Sequence, residues 1–194
     1  MSAPEEGLRL VFLDIDGVIC CNRVGELEAS KLAQLQRICR ETGAKVVLST
    51  DWRRQAALKR QVIQALARLD MECVGATPQR ATMFQPVRPQ EITEWMHANG
   101  AKFGVTSWVA IDDRDLLNEH GGAELQGRMV RTHPNTGLTK RLGDVAIEAI
   151  FEHRDALLQI TKPVRGKQRH PDHAQQERDQ SDRGHVPSWQ DLGH

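Results

Sequence analysis

The chain has 194 residues, which suits one domain with a proper hydrophobic core. Its 26 lysine and arginine residues balance 26 aspartate and glutamate residues, so the net charge does not indicate binding to nucleic acid or to a membrane surface. No apolar run approaches the length of a membrane span, and the acidic residues near the start do not fit a secretory signal. The four cysteines lack zinc-like spacing, and we expect a reduced, intracellular protein, most simply a cytoplasmic one.

Predicted strands and helices alternate along the chain, which favours an α/β fold: a three-layer, Rossmann-like sandwich with a mainly parallel sheet of about five strands. In the first half, we predict a strand from Leu10, a helix over 27–42, a strand over 45–49, a helix with Leu58, Val62, Leu66 and Leu69 on one face, and a strand over 71–75. In the second half, we predict a helix from Arg88, a strand over 108–113, a loop over 115–126, an edge strand over 128–132, and a helix to about residue 160 with Leu142, Val145, Ile150, Leu157 and Leu158 inward.

The composition changes after residue 161. Residues 162–194 contain many proline, glutamine and charged residues but few apolar ones, which is typical of a disordered segment. We therefore expect one folded domain over residues 1–161 and a disordered polar tail over residues 162–194.

The first apolar run ends in two closely spaced carboxylates, Asp14 and Asp16, followed by Gly17. Ligands of open α/β sheets bind beyond the carboxyl ends of the strands, where this pair falls. Two acids so close together repel each other unless a cation or a shared proton relieves them, and Mg²⁺ is a hard cation that prefers oxygen ligands. A polar strand end with an ordinary glycine turn is the alternative interpretation.

Hydroxyl side chains end the second predicted strand. Ser49 and Thr50 can each donate a hydrogen bond to a phosphoryl oxygen, and Ser49 is favoured because it directly follows the apolar run. An arginine near this end of the sheet can bind a second anionic group of a substrate, whereas a tryptophan there either stacks on a base or sugar or packs in the core. The candidate substrate contacts are Trp52, Arg53 and Arg54.

A cation and a second acid pair complete the set. Arg88 precedes Pro89, a good first helical residue, and a cation at a helix N-terminus opposes the macrodipole, which indicates that it faces a ligand. Lys102, which follows the same helix, is the alternative cation. Asp112 and Asp113 end the fourth predicted strand, and four acidic side chains at one place require a cation if all are to stay ionised.

The order, spacing and strand-end placement of these motifs resemble the haloacid dehalogenase (HAD) superfamily of phosphohydrolases over roughly residues 8–150. Asp112 and Asp113, followed by arginine, are similar to the fourth motif of polynucleotide 3′-phosphatases. The resemblance implies the sheet order 3-2-1-4-5. It also implies Mg²⁺ held by Asp14, the backbone carbonyl of Asp16, and Asp113, with Asp112 in support. The intervals after Asp16 and before Arg88 leave no room for the large cap domain of many relatives.

The resemblance also implies catalytic roles and a function. Asp14 is the nucleophile that forms an aspartyl phosphate, Asp16 is the general acid and base, and Ser49 and Arg88 hold the phosphoryl oxygens. The expected function is Mg²⁺-dependent hydrolysis of a phosphomonoester: a phosphoprotein, a nucleic-acid end or a small phosphometabolite. A catalytically silent HAD-like binding module is the alternative. A receiver domain is disfavoured, since it would carry its phosphoacceptor on the third strand.

Overall fold

The protein is described by a computed structural model over residues 7–80 and 86–160, with backbone alone for residues 153–160. Its strands are β1 (Leu8–Leu13), β2 (Lys45–Leu48), β3 (Cys73–Ala76), β4 (Val105–Asp112) and β5 (Met129–Arg131). Its α-helices are α1 (Ala29–Thr42), α2 (Ala56–Ala67), α3 (Arg88–Asn99) and α4 (Lys140–Ile160). The strands form one sheet in the order β3-β2-β1-β4-β5, and every neighbouring pair is parallel. The predicted fold class and strand order are confirmed.

Alternating side chains of β1 face two separate hydrophobic cores. Val11 and Leu13 belong to the larger core, which also contains buried residues of α1, α2 and α4. Leu10 and Phe12 belong to the second core, where they pack with residues of α3 such as Ile92. A parallel strand that is covered on both faces is typically apolar throughout, which is why residues 10–13 of β1 show no polar alternation. The result is the predicted arrangement of three layers.

The carboxyl ends of the three central strands meet at one edge of the sheet. Leu13 pairs with Leu48 of β2 and with Ile111 of β4, so the residues that follow these strands start level with one another. The backbone amide of Asp14 donates to the carbonyl of Ile111 at 3.0 Å, and that of Ser49 donates to Leu13 at 2.8 Å. This register brings three of the four sequence motifs together.

Two local predictions were wrong. Residues 115–126, predicted as a loop, contain 3-10 helices at Leu116–Asn118 and Gly122–Leu125, and Leu116 and Leu125 are buried in the second core. Val145 of α4, predicted to face inward, is 41% exposed. The buried face of α4 follows the four-residue spacing of Leu142, Ala146 and Ile150, and Val145 lies off that line. Leu157 and Leu158 fall where no side chain is described.

The described residues contain no element that would form a cap over the sheet edge. Residues 14–28, between β1 and α1, hold no helix and no strand, and neither do residues 77–80 and 86–87 before α3. Among the described residues, no helix combines the length and the apolar character needed to cross a lipid bilayer. The predicted tail over residues 162–194 lies outside the described residues.

Candidate active site

A cavity of about 380 Å³ opens at the carboxyl edge of the sheet. It lies where the register of β1, β2 and β4 brings their ends together, as expected for a parallel α/β sheet. Five of its lining residues are ones that the sequence singles out: Asp14, Asp16, Trp52, Arg88 and Asp113. Four others are Asp51, Gln55, Leu58 and Arg114.

Three carboxylates converge at this place. Asp14, Asp112 and Asp113 each offer one oxygen, and these oxygens all lie within 4.8 Å of one another. Asp14 and Asp112 are buried, and Asp113 is half-buried. The carboxylate of the exposed Asp16 does not belong to this group, and it instead accepts a hydrogen bond from the Trp52 indole at 2.9 Å. The expected convergence of four acidic side chains is therefore replaced by a group of three.

Arg88 is the buried cation of the site. It begins α3, and its Nη1 lies 2.9 Å from Oδ1 of Asp14 and 2.8 Å from Oδ2 of Asp112. Its Nη2 lies 3.8 Å from Oδ2 of Asp51. Burial disfavours the charged guanidinium, but these three carboxylates outweigh burial and raise the pKa of Arg88. The alternative cation, Lys102, is exposed and does not line the cavity.

The site carries more negative than positive charge. The cavity is lined by the carboxylates of Asp14, Asp16, Asp51 and Asp113 and by the guanidiniums of Arg88 and Arg114. Burial, together with the charge of Asp14, raises the pKa of Asp112 to about 7, although Arg88 acts in the opposite direction. Burial and the charge of Asp14 also raise the pKa values of Asp16 and Asp113. A bound cation or a shared proton would relieve the repulsion within this cluster.

The donor set fits Mg²⁺. This ion takes oxygen ligands at about 2.0–2.1 Å, so ligands on opposite sides of it are about 4 Å apart. One oxygen each of Asp14 and Asp113, the two carboxylates that the resemblance assigns to the metal, lie within 4.8 Å of each other, which is close to that scale. A divalent ion there would also offset the uncompensated negative charge of the cluster.

The two hydroxyls after β2 differ in their surroundings. Thr50 is fully buried, and its Oγ1 accepts a hydrogen bond from the backbone amide of Trp52 at 3.3 Å. Ser49 is also buried, but its Oγ has no hydrogen-bond partner among the described residues. A buried hydroxyl without a partner is costly unless a ligand satisfies it. Neither residue lines the cavity, and the phosphate contact of Ser49 stays a prediction.

Arg53 has a structural role in place of the predicted substrate contact. Its side chain is 1% exposed, and its Nη2 lies 2.6 Å from Oε2 of the equally buried Glu91 on α3. The same guanidinium donates to the backbone carbonyls of Thr77 at 3.1 Å and Pro78 at 3.0 Å. These contacts join the segment after β2 to the segment after β3 and to α3. With 1% of its side chain exposed, Arg53 is almost fully enclosed by the protein.

The other two candidate substrate contacts lie nearer to the cavity. Trp52 lines it but is only 7% exposed, so packing is its main environment. Arg54 is partly exposed, and its Nε lies 2.9 Å from Oδ1 of Asp51. Whether Arg54 contacts a substrate stays a prediction.

Four lining residues were not predicted as site residues, and two of them had a signal in the sequence. Asp51 directly follows the hydroxyl pair after β2, and Arg114 directly follows the second acid pair. Adjacency to a strand-end motif is therefore the signal that would have identified both. Gln55 and Leu58 lie at the start of α2, and their approach to the cavity depends on packing that no local pattern shows.

Gly17 is required by the close approach of Asp113. Its φ is +67°, and a Cβ at this position would lie 2.6 Å from Cγ of Asp113. Gly25 has a similar φ of +77°, but a Cβ there would meet open space. An alanine at either position would strain the backbone, but only an alanine at Gly17 would also displace Asp113.

We expect Gly17→Ala to abolish metal binding because it pushes Asp113 out of the carboxylate cluster. At 100 times its Kd, Mg²⁺ should stabilise the native protein by about 2.7 kcal/mol, or roughly 5–10 °C in Tm. Gly17→Ala, like Asp113→Ala, should show a shift below about 2 °C in the same thermal melts. Gly25→Ala carries similar backbone strain and should keep the full shift. A normal Mg²⁺ shift in Gly17→Ala would remove Asp113 from the metal site.

The sheet order and the acidic cluster at its carboxyl edge are the combination that the HAD resemblance predicts. A family model described as the HAD domain in Swiss Army Knife RNA repair proteins matches residues 10–142. The chain belongs to this family and, with it, to the HAD superfamily. No match was found among curated proteins or among solved structures.

Proposed function

We propose that the chain is a Mg²⁺-dependent phosphomonoester hydrolase that works through an aspartyl phosphate. The observation that carries this proposal is the convergence of Asp14, Asp112 and Asp113 around Arg88 at the carboxyl edge of the sheet. Without a cation, the excess negative charge would repel a phosphate. With one, the same cluster places an anionic nucleophile beside an electrophilic phosphorus.

In this proposal, Asp14, Asp113 and the backbone carbonyl of Asp16 would hold Mg²⁺, and Asp112 would support them. When bound, the ion neutralises phosphoryl oxygen charge and lets two anions approach each other. Arg88, already oriented by Asp14 and Asp112, binds one phosphoryl oxygen. The unpartnered hydroxyl of Ser49 donates to another. Because Arg88 is oriented before the substrate arrives, it stabilises the transition state with little reorganisation.

The reaction proceeds in two displacements. A carboxylate oxygen of Asp14 bonds to phosphorus while the bond from phosphorus to the leaving oxygen breaks, and Asp16 gives its proton to that oxygen. The alcohol leaves, and an aspartyl phosphate remains. Water then attacks phosphorus while Asp16 takes a proton from it, and the bond to the Asp14 oxygen breaks. Inorganic phosphate leaves, and both carboxyl groups return to their starting protonation states.

The substrate class that we propose first is RNA that carries a phosphate at one end of the strand. The description of the matching family model places this domain in RNA repair proteins. The fourth motif of the chain also resembles that of polynucleotide 3′-phosphatases. A phosphate at the end of a strand is a phosphomonoester, which is the class of bond that the proposed mechanism hydrolyses. The described residues form no cap over the cavity, so a strand end has room to enter.

The test is a substrate panel measured with Mg²⁺ and with excess EDTA. The panel contains oligoribonucleotides phosphorylated at the 2′, 3′ or 5′ end, phosphopeptides and sugar phosphates. We expect at least one RNA end to be hydrolysed about tenfold faster than the other classes, with complete loss in EDTA and recovery on adding back Mg²⁺. Equal hydrolysis in EDTA would contradict the metal assignment. Mg²⁺ binding without turnover of any substrate would favour the silent binding module.

A further inference from the structure

One side chain outside the expected set of catalytic groups contacts the proposed general acid. The indole Nε1 of Trp52 donates to Oδ2 of Asp16 at 2.9 Å, although the two residues are 36 positions apart in the chain. Trp52 is 7% exposed and lines the cavity, whereas Asp16 is exposed at its rim. The bond therefore links a fixed side chain to one that solvent would otherwise leave mobile.

The segment that carries Trp52 is held from several sides. It is a 3-10 helix at Asp51–Arg54, and the buried Thr50 caps it by accepting from the Trp52 amide. The backbone carbonyl of Trp52 accepts from the amide of Gln55 at 3.2 Å. The indole also packs in the larger hydrophobic core with Leu48, the last residue of β2. A hydrogen bond from such an element imposes its geometry on the partner.

Asp16 lacks comparable support from its own segment. It lies beyond the end of β1, where the chain turns at Gly17. The Gly17 amide donates a hydrogen bond to the carbonyl of Cys20 at 2.8 Å, which fixes the main chain of this turn. That bond does not restrict the side-chain torsions of Asp16. The hydrogen bond from the Trp52 indole restricts them.

We infer that Trp52 is a positioning residue that orients Asp16 for proton transfer to the leaving oxygen. This inference rests on the proposed function. In the acid form of Asp16, the oxygen that accepts from the indole is the carbonyl oxygen, so Oδ1 carries the proton. Oδ1 gives this proton to the leaving oxygen as the phosphorus–oxygen bond breaks, and it takes a proton from the attacking water in the second displacement. Thr50 contributes indirectly, because it caps the 3-10 helix that carries Trp52.

The inference makes a prediction that a purely structural role does not. A general acid matters for a leaving oxygen that needs a proton and hardly at all for one that departs as a stable anion. We compare phenyl phosphate with 2,4-dinitrophenyl phosphate, two aryl esters that differ in this property. Trp52→Phe keeps an aromatic ring but removes the N–H donor. Trp95→Phe is the matched control, because Trp95 is a buried indole of α3 in the second core.

For Trp52→Phe we expect kcat to fall by roughly tenfold to a hundredfold on phenyl phosphate and by less than about twofold on 2,4-dinitrophenyl phosphate. Trp95→Phe should change the two substrates equally. An equal loss on both esters in Trp52→Phe, or no loss on phenyl phosphate, overturns the inference while leaving the proposed function intact. Absence of turnover by the native protein on both esters and on the RNA panel overturns the proposed function, and the inference falls with it.

A second measurement does not require turnover or a folded tryptophan variant. The indole N–H resonance of Trp52 is followed by NMR in the native protein and in Asp16→Ala, which alters an exposed side chain. We expect this resonance to move and its proton to exchange faster with solvent in the variant, while the other three indoles of the chain stay unchanged. An unmoved Trp52 resonance would mean that the bond is absent in solution, and the inference would be wrong.

Discussion

Asp14→Asn is expected to abolish phosphatase activity, with a fall in kcat of about a thousandfold or more, while the protein stays folded. An amide has no anionic oxygen to attack phosphorus, so the aspartyl phosphate cannot form. The variant keeps the size of the side chain, and Arg88 retains its partner Asp112 at 2.8 Å. The measurement is turnover of the best substrate of the panel with saturating Mg²⁺, together with a thermal melt of each protein.

Asp144→Asn is the matched control for this variant. Asp144 is an exposed aspartate of α4 that pairs with Arg37 at 2.8 Å and does not line the cavity. The same chemical change there should leave kcat within about twofold of native. Turnover by Asp14→Asn near the native rate would remove Asp14 from the mechanism. Mass spectrometry of the native protein quenched in acid during turnover should also find one phosphate attached, and Asp14→Asn should carry none.

The parts of the fold and site that depend on strand ends could be predicted from the sequence. Three apolar runs end in acids or hydroxyls, and parallel strands place such ends at one edge of a sheet. That argument, with the HAD resemblance, gave the strand order and the approach of Asp14, Asp113 and Arg88. The acids and hydroxyls at the strand ends are local features that a single sequence shows, whereas the strand order came from the resemblance.

The parts that depend on packing between distant segments could not be predicted. Arg53 and Arg54 are neighbours in one polar stretch, yet one is buried against Glu91 and the other is partly exposed beside Asp51. Their different burial depends on the direction in which a 3-10 helix of four residues points each side chain. Such a short helix leaves no periodic pattern in the sequence from which this direction could be predicted. The carboxylate of Asp16 lies outside the acidic cluster for a similar reason, since Trp52 holds it from another segment.

Arg53→Met should destabilise the protein severely, by about 3–5 kcal/mol. The change leaves the buried carboxylate of Glu91 without its guanidinium partner and removes the donor to the carbonyls of Thr77 and Pro78. For a domain of this size, the loss corresponds to a Tm lower by roughly 6–20 °C. Arg80→Met is the matched control, since Arg80 pairs with Glu94 on the same helix as Glu91 but in an exposed position. It should cost less than about 1 kcal/mol.

The double variant Arg53→Met/Glu91→Leu separates the buried charge from the other contacts of Arg53. If the unpaired carboxylate causes most of the loss, removing it should make the double variant more stable than Arg53→Met alone, although the two carbonyls still lack their donor. Urea denaturation gives the free energy of unfolding for each protein of the cycle. A substrate contact by Arg53 predicts the opposite pattern: an unchanged free energy of unfolding in Arg53→Met and a raised KM. The 1% exposure of the Arg53 side chain argues for the first pattern, because a guanidinium that is enclosed by Glu91 and backbone carbonyls cannot reach a phosphate without opening the fold.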